Sequence, residues 1–303
     1  MNALTKIIFD FIVFTVKCCL AFALIVFVFV GITIYQNSTI KVTEYSIKNK
    51  KLPKSFNNFK IVQLSDIHND YDGDKLNDLS NKVKKEEPNI IVITGDLVDA
   101  QRYNVPNTLN FIDAIKDIAP IYFIYGNHDI GIEGDSYYTR MVEDLEARGV
   151  TFLNIKNNTI AIGNDSINIV GIQDPSVVHA IERLAVLETQ EEKTRKMIEE
   201  VLNGIDDENN FTLMLAHRPE YFKIYTDYNI DLVLTGHAHG GQFRMPLIGG
   251  LYAPNQGLLP KYTSGVHKNN NTEMIISRGL GNSRFPIRIF NTPEIVSITL
   301  KSK

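Results

Sequence analysis

Cysteine is scarce in this sequence of 303 residues: the only two, Cys18 and Cys19, are adjacent and lie inside an apolar run. The rest of the chain therefore has no means of forming a structural disulfide or a thiolate metal site. A surplus of positive charge is also missing. With 31 Lys and Arg against 35 Asp and Glu, the formal net charge is −4, so the basic face of a duplex-binding protein is absent and no nucleic acid partner is expected. Apolar residues are not lacking: 44% hydrophobic against 22% charged excludes a disordered chain and suffices for one large domain with an appendage.

Charge is locally absent from Cys18 to Tyr35, an 18-residue run that as a helix spans about 27 Å, close to the hydrocarbon thickness of a bilayer. The preceding stretch 7–16 is apolar too, but Asp10 and Lys17 interrupt it, which places Lys17 near the interface. A cleaved signal peptide is the competing reading. No small-x-small cleavage site follows the run and no lipobox precedes Cys18, so residues 1–36 read as an uncleaved anchor, with 18–35 in contact with the lipid bilayer. The lysines at 41, 48, 50, 51 and 54 outnumber Lys6 and Lys17, and a literal positive-inside count puts the domain after the anchor in the cytoplasm. Long domains translocate largely regardless of that count. The expectation is therefore a single-pass plasma-membrane protein with its domain on the external face.

Residues 37–54 form a polar stalk with a possible edge strand at 42–47, and 55–303 the globular domain. The first half of that domain alternates apolar runs with amphipathic helices: strands at 60–64, 90–94 and 121–125, helices at 75–87, 106–117 and 136–148. Runs such as IIVIT and IYFIY show no period-two polarity, as expected of strands covered on both faces. The second half has short strand candidates at 159–162, 167–171, 212–215, 232–234, 274–277 and 296–300, with hairpin turns such as Gly163-Asn164-Asp165, and so predicts a second mixed sheet. The fold class expected is α/β, a four-layer α/β/β/α sandwich of two mixed sheets, preceded by one transmembrane helix. Residues 176–203 read as a helical insertion, either surface helices or a lid.

Five clusters follow strand candidates: Asp66-Ile67-His68, Gly95-Asp96, Gly126-Asn127-His128-Asp129, His217, and Gly236-His237-Ala238-His239. Taken singly, Asp66 is a helix cap, Asn127 a turn residue and His217 a core histidine. Five such groups at strand ends do not coincide by accident. Asp66 and His68, like His237 and His239, are two apart and face the same way at a strand end. Asp96 has two oxygens with which to bridge two ions. This mix of carboxylate, amide and imidazole suits two first-row divalent metals, with Mn, Fe and Zn all acceptable, rather than calcium cages or thiolate zinc. His179 and His267 read as surface residues. Of the arginines near the clusters, Arg244 is the one expected to meet a bound ligand, because a guanidinium is a bidentate partner for anionic groups.

These motifs, with His217-Arg218-Pro219, resemble the calcineurin-like metallophosphoesterase superfamily from about residue 60 onward. GHAHGGQ at 236–242 and the tail motifs at 277–281, 286–288 and 293–295 are similar to a branch of membrane-associated bacterial phosphodiesterases that includes enzymes acting on nucleotide-sugar lipids. The resemblance implies that Asp66, His68, Asp96 and His239 hold one metal, and that Asp96, Asn127, His217 and His237 hold the other. It implies that His128 contacts the phosphoryl group and that Asp99 orients it. Two cations about 3.5–4 Å apart can clamp a phosphoryl oxygen and make a bridging hydroxide near neutral pH. The function expected is therefore a membrane-anchored phosphodiesterase or pyrophosphatase working by that hydroxide, on a phosphate ester that is lipid-linked or part of the cell envelope. A phosphomonoesterase or nucleotide phosphodiesterase of the same fold is the alternative, since fold does not fix substrate. A non-catalytic binding module should have lost a ligand or His128, and every one is present.

Overall fold

A computed structural model of the chain describes residues 3–129, 136–176, 188–205, 207–282 and 286–303. A first sheet is built from β1 (Lys41–Asn49), β2 (Lys60–Leu64), β3 (Ile90–Thr94), β4 (Ile121–Ile124), β5 (Val150–Phe152) and the last strand, β16 (Glu294–Ser302), in the order β1-β16-β2-β3-β4-β5. Strands β2 to β5 are parallel, and β16 runs against β2. The second sheet contains β6 (Lys156–Ile162), β7 (Asp165–Gly171), β8 (Thr212–Leu215), β9 (Leu232–Thr235), β14 (Gly265–Asn269) and β15 (Thr272–Ile276), in the order β14-β15-β9-β8-β7-β6. Its four central strands are parallel and both edges antiparallel.

The absence of polar alternation in IIVIT has a direct cause. Ile90 and Val92 point into an apolar core shared with Leu213, Leu215, Leu232 and Leu234 of the facing sheet. Ile91 and Ile93 point the other way, against α2 (Gly73–Lys85), α3 (Val105–Ile115) and α4 (Ser136–Glu146). On the far side, Val170, Met214, Val233 and Met274 pack under α5 (Gln190–Asn203) and α6 (Phe222–Tyr225). The architecture is thus the four-layer α/β/β/α sandwich of two mixed sheets. Inside the central core Gln63 makes a polar bridge: its Nε2 donates to Thr94 Oγ1 at 2.9 Å and to the Thr235 carbonyl at 2.8 Å. It fixes the ends of β3 and β9 side by side.

Helix α3 starts with Asn104 as its cap, the side chain accepting from Asn107 N at 3.2 Å, and Pro106 in its first turn. That turn then holds the loop after β2: Thr108 Oγ1 donates to Asn69 Oδ1 at 2.7 Å and Asn107 Nδ2 to the Asn69 carbonyl at 3.2 Å. Asn104→Ala is expected to lower stability by about 1 kcal/mol, read as a shift of the urea midpoint at constant slope.

The N-terminal helix runs unbroken as α1 (Ala3–Ser38) through Asp10 and Lys17, extending beyond the uncharged run 18–35 on its N-terminal side. It contains no proline and a single glycine, Gly31, so nothing in it breaks a helix, and Asp10 and Lys17, seven apart, share one face. Its most apolar window has a mean hydropathy of 2.7 and none of it is buried. By length and composition this helix is able to cross a membrane. The 37–54 segment supplies β1, which pairs with β16 over nine residues starting at Lys41↔Glu294. Of the 176–203 segment, residues 190–203 form α5, whose Met197, Ile198 and Val201 are buried against the second sheet. Residues 177–187, where the rest of the lid reading and His179 fall, lie outside the described residues. His267 is half-buried, its ring 5.1 Å from that of Tyr262.

Candidate metal centre

Strands β2, β3, β8 and β9 end along one edge where the two sheets meet, and the chain turns sharply after them. Asp66, His68, Asp96, His237 and His239 all have φ between 45° and 62°, a left-handed conformation that costs a non-glycine residue on the order of 1–2 kcal/mol. Cross-strand bonds hold it: Asp66 N donates to Gly95 O at 3.0 Å, Ile67 N to Asp96 O at 2.8 Å and Gly236 N to His217 O at 3.0 Å. The glycines of the motifs have a steric reason. A Cβ on Gly236 would strike the Ser65 hydroxyl and the Asp66 carboxylate, and one on Gly95, at φ +94°, would strike His217.

These turns bring the predicted ligands together. Asp66, His68, Asp96 and His239 form one group, and Asp96, His217 and His237 a second, with the ligand atoms of each within 4.8 Å of one another. Asp96 belongs to both: its Oδ2 is 3.7 Å from His68 Nε2 and 3.4 Å from His217 Nε2. Within the first group His239 Nε2 lies 3.3 Å from Asp66 Oδ1 and 3.2 Å from His68 Nε2. In the second, His237 Nδ1 is 3.2 Å from His217 Nε2. Asn127 Oδ1 is buried at the same place and accepts no hydrogen bond. Paired imidazole nitrogens at hydrogen-bond distance, shared carboxylates and an orphan amide oxygen fit divalent cations. The second group has its tautomer set from outside, since His217 Nδ1 donates to the Thr94 carbonyl at 2.7 Å and leaves Nε2 for a metal.

Most of the charges agree with that reading; at His217 burial alone would lower the ring, but the Asp96 charge pushes it up to about 10, so a metal at Nε2 replaces a proton there. Burial drives His68 down to about 4 and His237 to about 3, so both are neutral donors at pH 7. Burial also raises Asp66, to about 6. Asp96 behaves oppositely: burial alone would raise it, but His217 beside it holds the carboxyl well below the usual range.

His128 stands at the wall of the same cavity, its ring edge-on to His68 at 4.8 Å. Asp99 Oδ1 is 3.6 Å from His128 Nδ1, an ion-pair separation rather than a hydrogen bond. Asp99 is itself fixed, accepting from Gln101 N at 2.8 Å and from Arg102 Nε at 2.8 Å. Arg244 is the exception among the sequence-derived site residues. Its guanidinium is turned under the glycine pair, donating to the Gly240 carbonyl at 2.7 Å and to Thr263 Oγ1 at 3.2 Å. The cavity, of about 660 Å³, is lined by Arg218 and not by Arg244. Arg218 is locked to buried Asp174 through Nε–Oδ2 at 2.6 Å and Nη2–Oδ1 at 3.0 Å.

Several supporting residues were given no role by the sequence reading. Asp129 accepts the backbone N–H of Asp96, Gly126 and Val98 at 2.7, 2.7 and 3.0 Å. Arg288, with no exposed surface, places Nη2 3.3 Å from His239 Nδ1 and donates to the Arg278 carbonyl at 2.6 Å. Asn255 brings its amide to 3.2 Å from His237 Nε2. Asp129 stands within the third cluster and Arg288 within the tail motif at 286–288, and that membership was the only signal for either.

Comparison with known proteins agrees with this geometry. Residues 59–241 match the family model described as calcineurin-like phosphoesterase. An uncharacterized metallophosphoesterase of Bacillus subtilis, YkuE, is 33% identical over 275 residues, covering 87% of this chain and 86% of the relative. The transmembrane protein with metallophosphoesterase domain of Danio rerio is 29% identical over 274 residues, covering 86% of this chain and 57% of that protein. The phosphodiesterase YaeI of Escherichia coli is 26% identical over 246 residues, covering 80% and 82%. A shared carboxylate between two buried ligand groups, a histidine on the cavity wall and a family match spanning all of them lead to one conclusion: the chain belongs to the calcineurin-like phosphoesterase family.

Proposed function

We propose that this metal-dependent phosphoesterase hydrolyses phosphodiester or pyrophosphate bonds with two divalent cations, and that α1 anchors it in the membrane with its catalytic domain on the external face. The observation that carries the reading is Asp96 Oδ2, placed between His68 and His217 at the floor of a cavity that also presents His128. One cation would be held by Asp66, His68, Asp96 and His239, the other by Asp96, Asn127, His217 and His237. Bound there, such ions supply Lewis-acid polarisation of a phosphoryl oxygen and a water made acidic enough to attack near neutral pH.

The chain's own groups then have defined tasks. His128 faces the cavity from the side of His68, within reach of a leaving oxygen, where an imidazole can donate a proton or a hydrogen bond. The cavity volume, about 660 Å³, is in the range of sites that enclose a molecule far larger than phosphate, which favours an ester with a substantial group on each side. The name of the Escherichia coli relative, a phosphodiesterase, supports the same bond type, and that of the Danio rerio relative supports membrane attachment.

The test uses full-length protein in detergent, Mn(II) and bis(p-nitrophenyl) phosphate. Chelation should abolish turnover and Mn(II) restore it. His128→Ala should lower kcat by about 10²-fold or more while bound metal, measured by mass spectrometry, stays at the wild-type level. Turnover that survives chelation, or a His128→Ala protein with wild-type kcat, sinks the proposal.

A further inference from the structure

Between Arg244 and Lys261 lie 16 consecutive residues without a charge, 245–260. They fold into two short hairpins, β10 (Arg244–Met245) with β11 (Gly249–Gly250) and β12 (Tyr252–Ala253) with β13 (Gly257–Leu258). The tip of the first hairpin and the open end of the second are apolar and face solvent: Leu247 is fully exposed, Ile248 59%, Leu258 81% and Leu259 66% exposed. Leaving four large aliphatic side chains of one uncharged segment uncovered is unfavourable, and such surfaces mark a contact.

The patch is continuous with the base of α1. Arg244 N donates to the Ile289 carbonyl at 2.9 Å, Leu251 N to Phe243 O at 2.8 Å and Leu259 N to Leu251 O at 3.0 Å, so both hairpins and the 287–290 segment form one hydrogen-bonded unit. That unit is fastened to the helix. Asn37 accepts from Arg288 N at 2.9 Å and donates to the Arg288 carbonyl at 2.7 Å, while the Phe290 ring meets that of Phe29 at 6.1 Å. The eight residues from Asn37 back to Phe29 correspond to about 12 Å along the axis. Gln36, Asn37 and Ser38 are the first polar residues after the apolar run. If they mark the membrane surface, Phe290 lies well below it, at the depth of Phe29.

We infer that residues 247–248 at the tip of the first hairpin and 258–259 at the open end of the second, together with Phe290, enter the acyl-chain region of the bilayer that α1 crosses, and that the cavity takes the phosphoester headgroup of a lipid directly from that surface. Phe243, Tyr252, Pro254 and Asn255 of the same hairpin unit line the metal cavity, Pro254 and Asn255 from the turn of the second hairpin. Burying the exposed leucines and Ile248 therefore sets the cavity mouth at headgroup level, and the substrate class is an amphiphile whose apolar part stays in the membrane. This rests on the reading of α1 as a membrane span.

The chain has no tryptophan, so each introduced one is a sole reporter. Full-length Leu247→Trp, Leu258→Trp, Leu24→Trp and Val266→Trp proteins are placed in phosphatidylcholine–phosphatidylglycerol vesicles, with and without bromine midway along the acyl chains. Position 24 reports on α1; position 266, exposed on β14 of the second sheet, is the control. The expected result is bromine quenching and a blue-shifted emission at 24, 247 and 258 and neither at 266. Quenching at 24 without quenching at 247 and 258 overturns the inference and leaves the anchor standing. Absence of quenching at 24 overturns both, and quenching at 266 equal to that at 258 overturns the inference as non-specific adsorption. Hydrolysis of bis(p-nitrophenyl) phosphate at the wild-type rate by the 247 and 258 variants establishes that they are folded.

Discussion

Asp96→Ala is expected to lower kcat/KM for an aryl phosphodiester by about 10³-fold or more, since losing several kcal/mol of metal-supplied stabilisation converts to at least that factor. The size follows from position. Asp96 Oδ2 is the atom lying between His68 and His217, and Asp96 Oδ1 accepts the backbone N–H of His128 at 2.8 Å. One substitution therefore disconnects both ligand groups and loosens the turn that aims His128 into the cavity. Metal content separates this from an ordinary loss of one ligand. Asp96→Ala should lower occupancy at both positions, whereas Asp66→Ala, whose carboxylate belongs to the first group alone, should leave one metal bound. A folded Asp96→Ala protein that retains two metals per chain and turns over at the wild-type rate would remove the shared-carboxylate assignment altogether.

The site was legible from sequence to the extent that its ligands follow strands. A run such as IIVIT ends in a turn, and Asp96 comes immediately after it; the side chains that coordinate are then a matter of type and spacing. What surrounds them was not legible, for a physical reason. Asp129 acts on three backbone N–H groups, and backbone donors have no residue identity to match. Arg244 is next to the GHAHGG motif in sequence, but the left-handed turns at Gly240 and Gly241 fold the chain back and leave Arg218, from a different strand end, on the cavity wall. The two-residue strands of the hairpins at 244–258 are too short to carry a period.

Among substitutions outside the ligand set, Asp129→Ala is expected to have the largest effect on stability. The Asp129 carboxylate is buried and accepts from Asp96 N and Gly126 N with one oxygen and from Val98 N with the other. Burial and the neighbouring Asp96 charge push it up to about 7, against the pull of the Val98 and Gly126 N–H groups. Alanine would leave three backbone donors without acceptors in a site closed to water. Each costs about 1–3 kcal/mol, so a loss of at least about 3 kcal/mol is expected, a large part of the roughly 5–15 kcal/mol that a domain has to spare. Asp129→Asn separates this from a simple packing defect. It keeps the volume and one oxygen, which can face Asp96 N and Gly126 N, while its amide meets the Val98 N–H donor to donor; it should therefore lose about 1–3 kcal/mol, the cost of one unmade bond. Urea unfolding of the metal-free proteins should rank wild type above Asn above Ala. Because the same bonds set the turns that carry Asp96 and Asn127, metal affinity should fall in that order too. If Asn and Ala are equally destabilised, Asp129 matters for its volume, and the hydrogen-bonded cradle beneath Asp96 is not what holds the ligands in place.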